Sequence, residues 1–134
     1  MNILILCAQG GFAGSSYSIS YLAKGLAERK HNVFLGLIKD TFLDTLMEGS
    51  KVTRVYMPFK GKIDKTTRSI IKDLIERENI QIINAQSSND RYVGPLINFL
   101  HGKKVKIIQT RRQNPKKMIG LNKFLQNIFN NHFC

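Results

Sequence analysis

Residues 1–16 read MNILILCAQGGFAGSS, and this stretch decides the fold. Ile3 to Ala8 is a short, continuously apolar run that stops at Gln9-Gly10-Gly11. A strand has this composition when both faces of its sheet are covered, because no side then needs polar residues. Ser15 and Ser16 follow as candidate N-caps, since a hydroxyl oxygen can accept from the unpaired amides of a first helical turn. Strand, glycine turn and helix make the first half of a βαβ unit.

The pattern repeats along the chain. Ile19, Leu22, Ala23, Leu26 and Ala27 recur at helical spacing and predict one apolar helix face. Asn32 to Ile38 (NVFLGLI) is the second strand, Phe42 to Met47 a short helix, and Val52 to Met57 the third strand. Ile63, Ile70, Ile71, Leu74 and Ile75 share a side of a helix from about Asp64 to Glu78. Ile80 to Ala85 is strand four. Beyond it Val93, Leu96, Ile97 and Leu100 have helical spacing, with Pro95 either kinking that helix or marking a start nearer Gly94. Val105 to Gln109 is strand five, followed by the basic loop TRRQNPKK and a last helix faced by Met118, Leu121, Leu125 and Ile128.

Alternating strands and helices predict an α/β fold: a doubly wound, Rossmann-like parallel sheet with helices on both faces. The expected order of its five strands is 3-2-1-4-5, since the two inner strands are the most apolar. In such sheets a ligand lies beyond the carboxyl ends of the strands, where the order reverses. That point falls between strands one and four, where the loops Gln9–Ser16 and Asn84–Arg91 meet.

The first loop suits an anion. Gly10, Gly11 and Gly14 let backbone approach a ligand, and the helix behind them presents amides and a positive dipole end. The glycines equally suit a tight strand-to-helix turn. The loop has neither the G-x-G-x-x-G of a dinucleotide fold nor the Lys-Ser/Thr of a P-loop. In the second loop Gln86, Ser87, Ser88, Asn89 and Asp90 offer hydrogen bonds to a hydroxyl-rich ligand such as a sugar, although Asn89 or Asp90 would also cap a helix. After strand five, Arg111 and Arg112 are suited either to gripping phosphate or to solvated surface charge.

Composition adds limits. The 134 residues, 43% hydrophobic and 22% charged, are ordinary for one soluble domain, and no apolar run reaches the roughly 20 residues of a membrane span. Cys7 and Cys134 form neither a disulfide framework nor a metal-ligand pattern, which points to a reducing, cytoplasmic setting. The net charge of +12 is uneven: Asp90 is the last acid, and nine cations from Arg91 to Lys123 follow without counter-charge. This asymmetry predicts an anionic partner. Lys116, Lys117 and Lys123, on or just before the last helix, would meet an anionic membrane surface, the helix lying peripherally on the inner face. The rival class is a non-catalytic basic module that binds nucleic acid or another anionic partner. The chain lacks the aromatic runs of an RRM and a helix-turn-helix pattern, so no nucleic acid is expected.

The order of these motifs resembles glycosyltransferase family four, of the GT-B class. MNILIL…GG followed by SISYLAKGLAERKHNVFLGL is similar to a double-glycine loop before a helix of the form L-A-x-x-L-x-x-x-G-H-x-V. Tyr21, Leu22, Ala23, Leu26, Arg29, His31 and Val33 match, and Lys30 stands where glycine is usual. Residues 57–92 look like the strand, His-x-His-Ser-Ser-type loop and helix of that family. IIQTRRQNP resembles its Thr-Arg-His segment, and NNHFC the run before a Cys-Asp-x-Ile-Ile-x-x-Ser strand.

The resemblance implies that residues 1–134 are an incomplete N-terminal, acceptor-side domain of an enzyme moving sugar from a nucleotide donor to a glycan or lipid-linked acceptor. The donor would lie mostly in a C-terminal Rossmann-like domain, here expected as a separate or missing part, so this chain alone would be inactive. Gly10 and Gly11 would face the donor diphosphate. No metal or other cofactor is expected, since basic side chains and helix ends stabilise the leaving diphosphate. Asn84, Gln86 and Arg112 depart from the histidines that the family often places there, and an arginine cannot act as a base at neutral pH.

Overall fold

A computed structural model describes residues 1–61, 64–87, 92 and 105–110. It contains strands β1 (Asn2–Cys7), β2 (Asn32–Leu37), β3 (Thr53–Tyr56), β4 (Ile82–Ala85) and β5 (Lys106–Gln109). Helices α1 (Gly14–Glu28), α2 (Phe42–Leu46) and α3 (Lys65–Glu78) connect them. The helices expected from Val93 and from Met118 onward lie outside the described residues.

All four strand pairings are parallel, and the sheet order is β3-β2-β1-β4-β5, as the alternation of elements predicts. The reason is visible in β1. Its odd residues Ile3, Ile5 and Cys7 pack with Ile19, Ala23 and Ala27 of α1 and Leu43 and Met47 around α2. Its even residues Leu4 and Leu6 pack with Ile71, Leu74 and Ile75 of α3. A strand that must fill both layers has to be apolar throughout, and only the central position demands it. Gly36 of β2 opens the α3 layer for Met57 and Leu6, whose side-chain atoms lie 2.9 Å from where its Cβ would be.

Helix ends depart from expectation in one place. α1 starts at Gly14, its N-cap is Ala13, and no side chain caps it. Ser15 and Ser16 are therefore inside the helix, and neither caps it: the Ser16 hydroxyl donates to the Gly11 carbonyl at 2.6 Å. Leu22, expected on the buried face, is 37% exposed, while Ser16 and Ser20 are buried in its stead. The stripe facing the sheet is rotated toward small residues, which lets α1 sit close to β1 and β2.

Helix α1 ends with left-handed Lys30 at φ 65°. The Lys30 amide donates to Ala27 O and the His31 amide to Leu26 O. This pair of bonds is the Schellman closure, in which a glycine is normally favoured because a Cβ strains the left-handed residue. α3 is bounded more conventionally. Asp64 accepts from Thr66 N at the start, and Asn79 adopts the left-handed cap at the end.

Candidate functional site

The reversal of strand order between β1 and β4 brings the loops after Cys7 and after Ala85 side by side, since Leu6 pairs with Ala85. The Gln86 amide donates to Leu6 O across this junction at 3.0 Å. The starts of the two loops that sequence alone selects therefore lie side by side at the carboxyl edge of the sheet, and Ser88 to Arg91 fall outside the described residues.

The glycines of the first loop divide in role. Gly10 is buried. Its carbonyl accepts from Leu43 N at 2.9 Å, and a Cβ on it would lie 2.5 Å from Thr41 Oγ1 and 2.8 Å from Thr41 Cβ. Its lack of a side chain serves packing against α2. Gly11 and Gly14 are exposed and look onto open space, with no atom within 4 Å of where a Cβ would stand. Open space lies beside Gly11 and Gly14. There α1 begins without a side-chain cap or an acidic residue in its first turn, whereas Thr41 caps α2 and Asp64 caps α3. An N-terminus of this kind favours an anion through its amides and dipole.

The described start of the second loop is less open than its composition implies. Gln86 and Ser87 are 8% and 9% exposed, so both are largely turned into the protein. Gln86 Nε2 donates to Asn84 Oδ1 at 2.9 Å, and Thr110 Oγ1 donates to the same oxygen at 3.2 Å. Asn84 thus ties the end of β4 to the end of β5. Ser88, Asn89, Asp90, Arg111, Arg112, Lys116, Lys117 and Lys123 lie outside the described residues.

A buried carboxylate braces the loop that supports Gly10. Asp44, 6% exposed, accepts from Asp40 N at 3.0 Å, Arg54 Nη1 at 2.8 Å and the Tyr56 hydroxyl at 3.2 Å. Burial raises its pKa, but these donors together outweigh burial and hold it below the ordinary carboxylate value. Asp64 is also lowered, chiefly by the Thr67 hydroxyl, which donates to it at 2.7 Å. Thr67 in turn accepts from Phe59 N at 3.0 Å and fixes the turn after β3. Among the described residues no group of three or more His, Cys, Asp or Glu is placed to hold a metal, and no helix is long and apolar enough to cross a membrane.

Sequence reasoning missed an aromatic cluster at the same edge. Phe12, Tyr17 and Phe42 meet edge-to-face, with centroids 4.8 Å apart for Phe12–Phe42, 5.4 Å for Tyr17–Phe42 and 6.5 Å for Phe12–Tyr17. Phe12 and Phe42 lie far apart in the chain, and no periodicity links them. The one available signal was a phenylalanine inside a glycine-rich loop.

No family model and no curated protein matches the chain. Its fold is similar to that of HepE from Anabaena. The crystal structure of HepE with UDP superposes with a TM-score of 0.72 at 18% identity, over 99% of this chain and 36% of HepE. The structure of HepE with UDP and glucose gives 0.68 at the same identity and coverage. The chain therefore spans about a third of that protein, and what the two share at this identity is the fold.

Proposed function

We propose that the chain is the N-terminal, acceptor-side part of a glycosyltransferase, of the GT-B class and family four. In this reading the enzyme passes a sugar from a nucleotide donor to a glycan or lipid-linked acceptor. The observation that carries the proposal is the open Gly11–Gly14 turn at the β1/β4 switch point, in a fold shared with a protein solved with UDP and glucose.

The chemistry asked of this part is modest. The uncapped start of α1 supplies amides and a dipole that favour the leaving diphosphate, and electrostatic stabilisation of this kind needs no metal. Arg111 and Arg112 are proposed to add cationic charge, and Ser88, Asn89 and Asp90 hydroxyl-directed hydrogen bonds. In this reading the donor's nucleoside is held mostly by a second domain, which this chain does not include. Transfer accordingly needs that second part. The proposed setting is cytoplasmic, with Lys116, Lys117 and Lys123 toward an anionic membrane.

Titration of the isotope-labelled chain with UDP-glucose, followed by amide shifts, tests the reading. Weak binding is expected, above about 1 μM or less favourable than about −8 kcal/mol, with the largest shifts from Gly11 to Ser16. Submicromolar affinity would show that the halves are wrongly assigned, and shifts confined to other parts of the sheet would refute the site.

A further inference from the structure

We propose that Phe12 is a stacking platform for a pyranose ring of the acceptor, held in place by Phe42 and Tyr17. The inference rests on the glycosyltransferase reading and names a ligand class for one position of its site. Phe12 is 81% exposed, the most open of the large apolar side chains among the described residues. Leaving a phenyl ring in water forgoes burial energy, and nothing in the core requires this residue to be aromatic.

The ring is exposed but not loose. Phe42 meets it at 62° and Tyr17 at 77°, from two different helices, and these two rings meet each other at 72°. Edge-to-face contacts of this sort favour one ring orientation. Phe12 directly follows the open Gly11, Phe42 opens α2 at the end of β2, and Tyr17 lies in the first turn of α1. All three therefore sit at the carboxyl edge, on the β1–β2 side of the switch point. An aromatic face carries partial negative charge, and the C–H bonds on one side of a pyranose carry partial positive charge, so the two attract. The ring hydroxyls need polar partners alongside, and Gln9, three residues earlier, is an exposed amide. A fluid bilayer asks for no such bracing, which favours a sugar over lipid as the occupant.

The test uses the full 134-residue chain. Fluorescently labelled wild type, Phe12→Ala, Phe12→Trp and Tyr21→Ala proteins are applied to a printed array of oligosaccharides, and bound glycans are then measured by saturation-transfer NMR. Tyr21, 70% exposed and one turn further along α1, controls for loss of an exposed ring outside the cluster. Wild type should bind at least one glycan class. Phe12→Ala should weaken it about ten-fold, as loss of a stacking ring does elsewhere, while Phe12→Trp and Tyr21→Ala retain it. Equal glycan binding by wild type and Phe12→Ala overturns the platform and leaves the acceptor reading standing. No glycan binding by wild type overturns the platform, and the UDP-glucose titration then reads the parent assignment separately. Phe12-dependent binding to neutral phosphatidylcholine vesicles without glycan binding would overturn it in favour of lipid.

Discussion

Replacing Gly10 with alanine separates its packing role from a ligand role. Its φ lies outside the left-handed region, so alanine is allowed by the backbone and any cost must be steric. The added Cβ meets Thr41 Oγ1 at 2.5 Å and Thr41 Cβ at 2.8 Å, distances that force a shift. Thr41 has little freedom to yield. Its hydroxyl donates to Ile38 O at 2.9 Å and accepts from Asp44 N as the cap of α2, while Leu43 N is held by Gly10 O. Overpacking costs about 1–3 kcal/mol, and loss of the cap adds about 1 kcal/mol. We expect Gly10→Ala to lose about 2–3 kcal/mol in urea unfolding. Gly11→Ala, which meets nothing, should be neutral or stabilising by up to about 1 kcal/mol through the unfolded state. The double variant Gly10→Ala/Thr41→Gly removes the clash, so its cost should fall below the sum of the single costs by at least about 1 kcal/mol. Additive costs, or a Gly10→Ala protein as stable as wild type, would refute the steric argument.

Lys30→Gly relieves the left-handed C-cap of α1 and, after the entropy lost by a glycine chain, should raise stability by about 1 kcal/mol, read as an increase of about 3–5 °C in Tm. Asp44 and Asp64 have lowered folded pKa values, so the folded state binds fewer protons than the unfolded chain near their ordinary value of 3.8. Their stabilisation is therefore complete above that pH and is lost as pH falls through the folded values; urea melts from pH 6 to about 2 should show it. Asp44→Asn should cost about 2 kcal/mol at neutral pH and flatten part of this acid limb; an unchanged limb would mean that the Arg54 and Tyr56 contacts do not stabilise the carboxylate. Sedimentation with vesicles should show binding to anionic but not neutral bilayers, weakened by salt and by charge removal at Arg111, Arg112, Lys116, Lys117 and Lys123, each cation contributing about 1 kcal/mol; equal binding to both vesicle types, or none, would refute the membrane role.

The sheet was legible because its central strand has to be apolar on both faces, and Ile3 to Cys7 cannot be read otherwise. Strand order followed from the same asymmetry. Helix α3 was legible from the helical spacing of Ile70, Ile71, Leu74 and Ile75. The start of α1 was not, because Ala13 carries no capping group and the two serines that signal a cap are used inside the helix. Leu22 was misplaced for a related reason. Helical spacing identifies neighbours on a face, but close packing against β1 and β2 selected Ser16, Ser20 and Ala23 for contact. At the site, composition could list polar residues but not which way they turn: Gln86 and Ser87 are largely consumed by the fold.

The position of Asn84 bears on what any transfer here would require. Its side-chain oxygen accepts from both Gln86 and Thr110, so the amide is already engaged in joining β4 to β5. An amide cannot take up a proton near neutral pH, and a histidine in its place would have to break at least one of these bonds to serve as a base. Among the described residues the histidine, His31, lies at the opposite edge, its Nδ1 3.1 Å from the Met1 amino group. The Asn84 amide at the end of β4 therefore serves the fold and cannot itself accept a proton. Acceptor activation in the proposed reaction would then come from a group other than residue 84. Histidine in place of Asn84 should consequently loosen the β4–β5 junction without raising transfer in a reconstituted enzyme. A gain in rate with unchanged stability would show that a base at this position, and not the fold, limits transfer.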